Sequence, residues 1–154
     1  MFVVCGEALW DLFAREGGAS LAFDARVGGS PFNVAVGLAR LDQPAALLTG
    51  LSTDRLGQRL FQALEAEGVD TSFLVRVARP TTLSLVGLGP DGSPAYAFYG
   101  DHAADRTIAP ADLPVLGDDV WGLHVGSFSL VAEPVGSSFL ELLGRAAGRH
   151  LVTL

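Results

Sequence analysis

The sequence predicts an α/β fold, a sheet with helices on its faces, and a small β-sheet lid set apart from it. Three observations predict it. Short apolar runs alternate with apolar residues at helical spacing from Phe2 to about Leu64. Segment 73–99 breaks that rhythm with three closely spaced strand-like runs, two of them joined by the turn Gly89-Pro90-Asp91-Gly92. The chain has 154 residues, 49% of them hydrophobic, enough for one domain with a substantial core.

In chain order, residues 2–6 read as a buried first strand, with Asp11 just beyond it. Open α/β sheets gather ligands outside the carboxyl ends of their strands, so a carboxylate there suits a binding role. The octet Gly28-Gly29-Ser30-Pro31-Phe32-Asn33-Val34-Ala35 follows. Its glycines permit close backbone approach, Ser30 suits an N-cap and Pro31 the first helical position. Phe32, Ala35, Val36, Leu38, Ala39 and Leu41 supply the helix's apolar face. Asn33, in the first turn, can both donate to and accept from a polar ligand. By itself the octet fits an ordinary glycine turn before a core helix equally well. Residues 45–51 read as a strand, Leu56, Leu60, Phe61 and Leu64 as a helix, and Gly68 as its C-terminal stop.

The lid region, about 73–99, comprises Phe73 to Val77, Thr82 to Leu88 and Ala95 to Tyr99. Tyr96 and Phe98 share one face by the period of two, and Tyr99 points the other way. An aromatic on the inner face fits either cover over a ligand or packing within a lid or dimer core. A sheet standing alone exposes an apolar face, which calls for a partner or a ligand. Residues 120–125 then read as a strand, Pro134 opens a helix to about Arg145, and 150–154 read as a further core strand. A buried parallel strand normally has a following helix, so this ending is expected of about half of a larger fold.

Composition excludes several classes. A net charge of −7 disfavours nucleic acid as a partner. All ten basic residues are arginine, so the chain offers neither a P-loop lysine nor a Schiff-base lysine. His102, His124 and His150 lack the spacing of a zinc pair, and no Gly-x-Ser-x-Gly elbow occurs. Cys5, the single cysteine, sits in an apolar run and reads as a core residue. No apolar stretch is long enough to span a bilayer and no signal peptide is evident, so a cytoplasmic location without membrane attachment is expected.

The octet, together with Val3-Val4-Cys5-Gly6-Glu7-Ala8-Leu9-Trp10-Asp11, resembles the amino-terminal signature of the PfkB (ribokinase-like) carbohydrate kinases. Fructokinases are the nearest branch. The likeness continues through Leu38-Ala39-Arg40-Leu41, Gly50-Leu51-Ser52-Thr53-Asp54, Gly57, Glu67-Gly68-Val69-Asp70, Ala95-Tyr96-Ala97-Phe98-Tyr99 and Ala103-Ala104-Asp105. Asp42 stands where the family pattern usually has Gly or Ser, and Ser52 where Gly is commoner. The resemblance implies a Rossmann-like (ribokinase-like) three-layer sandwich, present in part: residues 1–154 are its amino-terminal portion and the nucleotide-binding portion is absent. It implies a sugar substrate, ATP as co-substrate with Mg2+, and a homodimer formed through the lid.

The sugar contacts it implies are Asp11, Gly28, Gly29 and Asn33. A carboxylate can accept from two adjacent hydroxyls, and Asn33 adds a donor and an acceptor. Tyr96 and Phe98 are candidate lid contacts, and Arg106 a candidate for a substrate carboxylate or phosphate, although a surface ion pair is the common fate of a lone arginine. The Gly-Ala-Gly-Asp segment that carries the family's catalytic aspartate does not occur, so no catalytic base is assigned in this chain. The expected activity is phosphoryl transfer from ATP to fructose, with the isolated chain inactive. 2-Keto-3-deoxygluconate kinase is the enzymatic alternative. It commonly has arginine after the aromatic pair, where this chain has Gly100, and that favours a neutral sugar. Ribokinases and nucleoside kinases are more distant alternatives, and an inert sugar-binding or dimerising fragment is the non-enzymatic one.

Overall fold

The computed structural model describes residues 1–15, 20–89, 91 and 93–154. Five strands form a parallel sheet: β1 (Phe2–Cys5), β4 (Ala45–Ser52), β5 (Leu74–Val77), β8 (Gly122–Val125) and β9 (Leu151–Thr153), in the order β5-β4-β1-β8-β9. Pleating divides their side chains between two cores. Val3, Cys5, Leu48 and Val125 pack with Phe139 and Leu142 of helix α3 (Val135–Ala146). Val4, Leu47 and Leu51 pack with Phe32 and Ala35 of α1 (Ser30–Arg40) and with Leu60 and Leu64 of α2 (Arg55–Ala66). The sheet is therefore the middle of three layers. Cys5 is fully buried, which pushes its thiol pKa well up and suits a packing role.

A second sheet of four strands stands beside the first, built from β2 (Leu9–Arg15), β3 (Ala22–Gly28), β6 (Leu83–Leu88) and β7 (Pro94–Tyr99) in the order β3-β2-β6-β7. Its membership corrects the expectation for 73–99. Leu74–Val77 is the edge of the parallel sheet, paired with β4, because its half-buried side chains extend that core. Two strands not expected from the sequence, β2 and β3, pair antiparallel over Leu9–Arg15 and Ala22–Gly28 and supply the other half of the lid. The turn residues Pro90 and Gly92 lie outside the described residues; beside them, Asp91 accepts from the Ser93 N–H and Oγ–H.

Three bonds anchor the lid to the helical layer. Trp10 Nε1–H donates to the Leu56 carbonyl at 3.2 Å. Asp54 caps α2 by accepting from the Gly57 N–H and also accepts from the Thr81 N–H and Oγ–H at the foot of β6. Partial burial would raise its pKa, but these donors together with Ser52 hold it below the usual carboxylate range.

Three smaller expectations change. Gly29, not Ser30, is the N-cap of α1, and Ser30 opens the helix without a side-chain capping bond. Leu41 is the C-cap and stands 72% exposed, off the apolar face. Asp42 follows at φ 58°, a left-handed conformation that accounts for glycine being common there in the resembled family. The final strand, expected to lie in a core, is exposed within residues 1–154, where β9 pairs only with β8 among the described strands.

Candidate functional site

A cavity of about 510 Å3 opens between the lid and the carboxyl ends of β1 and β8. Its lining includes Glu7, Asp11, Gly29, Asn33, Tyr96, Phe98 and Phe128. Four separate parts of the chain converge there, one of them the loop after β8 with Phe128. The loop after β1 brings Glu7, the start of α1 brings Gly29 and Asn33, and the lid brings Asp11, Tyr96 and Phe98. Close packing at the junction requires glycine. A Cβ on Gly6 would lie 2.9 Å from Pro31 Cβ, and one on Gly29 2.5 Å from the Glu7 carbonyl oxygen. Gly29 also adopts φ 104°, a conformation that side chains disfavour.

Asp11 is not at the end of β1. It lies within β2, opposite Arg26 on one neighbour and Ser84 on the other. The carboxylate directly beyond β1 is Glu7. It is 4% exposed and accepts from Ser127 Oγ–H at 2.9 Å, Ser129 Oγ–H at 2.6 Å and the Ser129 N–H at 3.2 Å. These three bonds fasten the loop after β8, which carries Phe128. Phe128 stacks on Phe98 with centroids 5.2 Å apart, and Phe98 on Tyr96 at 6.2 Å. The lid aromatics thus form a continuous apolar wall beside the polar groups.

Of the residues expected from the sequence, Asp11, Gly29, Asn33, Tyr96 and Phe98 line this cavity, and Gly28 abuts the Asp11 carboxylate. Arg106 does not line it. Its guanidinium lies over the Phe128 ring, 4.9 Å from the centroid, and faces a separate cavity with Asp101 and His102. Glu7, Ser127 and Phe128 were not singled out. Ser127-Phe128-Ser129 sits 120 residues from Glu7 and gives no local sign of the pairing.

Buried Asp105 accepts from Thr82 Oγ–H at 2.6 Å at the base of the lid. Burial pushes its pKa up to about 6; the Thr82 bond and Arg106 oppose the rise and Glu7 adds to it. Among the described residues no group of three or more His, Cys, Asp or Glu could hold a metal ion. No helix among the described residues is long and apolar enough to cross a membrane. The cavity can present a carboxylate, a side-chain amide and an aromatic wall to a small polyhydroxylated molecule.

Comparison with known proteins agrees with this geometry. The family description "pfkB family carbohydrate kinase" matches residues 1–128. A fructokinase of Rhizobium leguminosarum bv. trifolii is 40% identical over 155 residues, covering 100% of this chain and 47% of its own length. The fructokinase of Xylella fastidiosa superposes with a TM-score of 0.89 at 30% identity, over 98% of this chain and 48% of that one. Its structure with bound ATP gives 0.87 at 30% identity, over 98% and 50%. The chain spans about half the length of the relatives it matches.

Proposed function

From a chain that belongs to the pfkB family of carbohydrate kinases, we propose the sugar-holding half of an ATP-dependent kinase, with fructose as the acceptor. The observation that carries this reading is the convergence of Asp11, Gly29 and Asn33 on one cavity under Tyr96 and Phe98. Asp11 accepts from two neighbouring sugar hydroxyls. Asn33 donates to one oxygen and accepts from another, and Gly29 leaves space for the ring against the backbone. Tyr96 and Phe98 cover its C–H face and exclude water. Glu7 acts through Ser127 and Ser129, fixing the loop that completes the aromatic wall.

ATP enters this reading from the Xylella fastidiosa relative, whose structure holds it. No group of three or more His, Cys, Asp or Glu gathers among the described residues and the sequence has no lysine to meet phosphates, so no step through magnesium or ATP is assigned to these residues. What the chain contributes is orientation of the acceptor hydroxyl, which supplies much of the barrier lowering in phosphoryl transfer.

Calorimetric titration of fructose, with Asp11→Ala beside the unaltered protein, tests the reading. Saturable binding that the substitution weakens at least tenfold is expected. Equal binding in both, or none in the unaltered protein, would overturn it.

A further inference from the structure

We propose that a second cavity, at the base of the lid, binds a phosphate-bearing anion through Arg79 and Arg106. This cavity measures about 470 Å3, and its lining includes Arg79, Asp101, His102, Arg106, Thr107 and Glu133. That volume suits a small phosphorylated metabolite. The inference goes beyond the sugar site, since none of these residues lines the first cavity.

Arg106 is poorly satisfied within the chain. Its side chain is 19% exposed, its Nε has no hydrogen-bond partner among the described residues, and its ion pair with Asp101 is long, 3.7 Å, to a carboxylate fully in solvent. Elsewhere the chain pairs arginines closely: Arg40 with Glu67 and Arg145 with Glu141, both at 2.5 Å. A guanidinium largely withdrawn from water and without a close ion pair carries a cost that an anion at its terminal nitrogens would relieve. Gly100 makes room for the Arg106 guanidinium, because a Cβ there would lie 2.8 Å from Arg106 Nη2.

The second cation, Arg79, is exposed on the loop after β5 and has no ion-pair partner among the described residues. Buried Asp105 feels the charge of Arg106 but is bonded to Thr82 Oγ–H and forms no ion pair with the arginine among the described residues. The other carboxylates nearby do not fill the role of a partner. Glu133 accepts from Ser137 Oγ–H at 2.9 Å and from the Ser137 N–H at the start of α3, and Asp101 faces solvent. Both arginines line the one cavity, and guanidinium donors match the oxygens of a phosphate group.

Calorimetric titration of the protein at its full natural length, with inorganic phosphate and separately with fructose 6-phosphate at constant ionic strength, tests the proposal. Saturable phosphate binding is expected, weakened at least fivefold by Arg79→Gln and by Arg106→Gln and restored in part by Arg106→Lys. Arg79, being exposed, keeps the test open if Arg106→Gln does not fold. Tighter binding of fructose 6-phosphate than of phosphate assigns the cavity to a sugar phosphate, and equal binding assigns it to the free ion. Absence of saturable binding by either anion, or binding unchanged in Arg79→Gln and Arg106→Lys alike, would overturn the proposal. So would its loss in Asp11→Ala, which would move the anion to the first cavity. Fructose titration of the same samples reads the sugar cavity alone, so failure of that reading is recognised separately.

Discussion

The Asp11 carboxylate occupies the space that a side chain at residue 28 would fill: a Cβ on Gly28 would overlap it, 2.8 Å from Cγ. Gly28 ends β3 beside Leu9, so glycine there sets where the Asp11 carboxylate rests. Gly28→Ala should therefore imitate Asp11→Ala in weakening fructose binding. Each removes or displaces charge-assisted hydrogen bonds of about 1.5–3 kcal/mol. Calorimetry with fructose and a melting curve for each variant check this. Gly28→Ala with undiminished affinity would show that the carboxylate's resting place is immaterial.

The relationship also shows how far the sequence was legible. The octet and Asp11 pointed to a shared site, and the alternation of strands and helices gave the layers. What could not be read was the pairing of β2 with β3. Phe13, Phe23 and Ala25 are exposed on a two-sided lid sheet, so Leu9–Arg15 and Ala22–Gly28 lack the clean alternation of a strand with one buried face. Leu74–Val77 looked like lid for the opposite reason. It is uniformly half-buried, and only its pairing partner β4 places it in the main sheet. Glu7 was hidden because a buried carboxylate is recognisable only through its donors, and these come from the far end of the chain.

Glu7→Gln should loosen the loop that carries Phe128. Three donors converge on the carboxylate, and an amide offers one acceptor oxygen in its place. The cost should be about 1–3 kcal/mol, the usual penalty for stranding a buried donor. Faster hydrogen exchange at the Ser129 amide, with weaker fructose binding, is the expected readout. An unchanged Ser129 exchange rate would remove Glu7 from this role.

Asp105 should make stability depend on pH. Its pKa is pushed up from 3.8 to about 6 by burial, so the folded protein holds that proton more tightly than the unfolded chain. Stability from this group is therefore greatest below about 3.8, falls as pH rises towards 6, and is level above. The full span is on the order of 2–3 kcal/mol. Asp105→Asn keeps an oxygen for Thr82 Oγ–H and removes the titration. Urea unfolding at pH 4.5, 6 and 8 should show the variant gaining on the unaltered protein as pH rises. A constant difference across that range would exclude a buried, titrating Asp105.

The lid presents an apolar hollow of about 600 Å3, whose lining includes Phe13, Val86, Leu88, Pro94 and Tyr96. Leu88 is 78% exposed and Phe13 39%. Contiguous apolar surface of this kind marks association sites, which supports a homodimer formed through the lid. Sedimentation velocity at micromolar concentration should give a dimer, and Leu88→Asp should shift it towards monomer. A monomer in both cases would leave the hollow without that role.

Residues 1–154 by themselves should show no appreciable kinase turnover, while a form extended to the full length of its relatives should turn over fructose with ATP and magnesium. In the proposed function the chain holds the acceptor side of the reaction, but phosphoryl transfer also needs groups that position and neutralise the phosphates. The sequence has no lysine and no Gly-Ala-Gly-Asp segment, and it spans 47% of the Rhizobium leguminosarum fructokinase. The two arginines at the second cavity are cations of the right kind, yet neither lines the first cavity. A coupled assay for ADP release, run on mass-verified protein of each length, separates the cases. Background rates from the 154-residue chain with fructose binding intact would locate orientation of the sugar here and the phosphate chemistry beyond Leu154; robust turnover by the short chain would falsify that division.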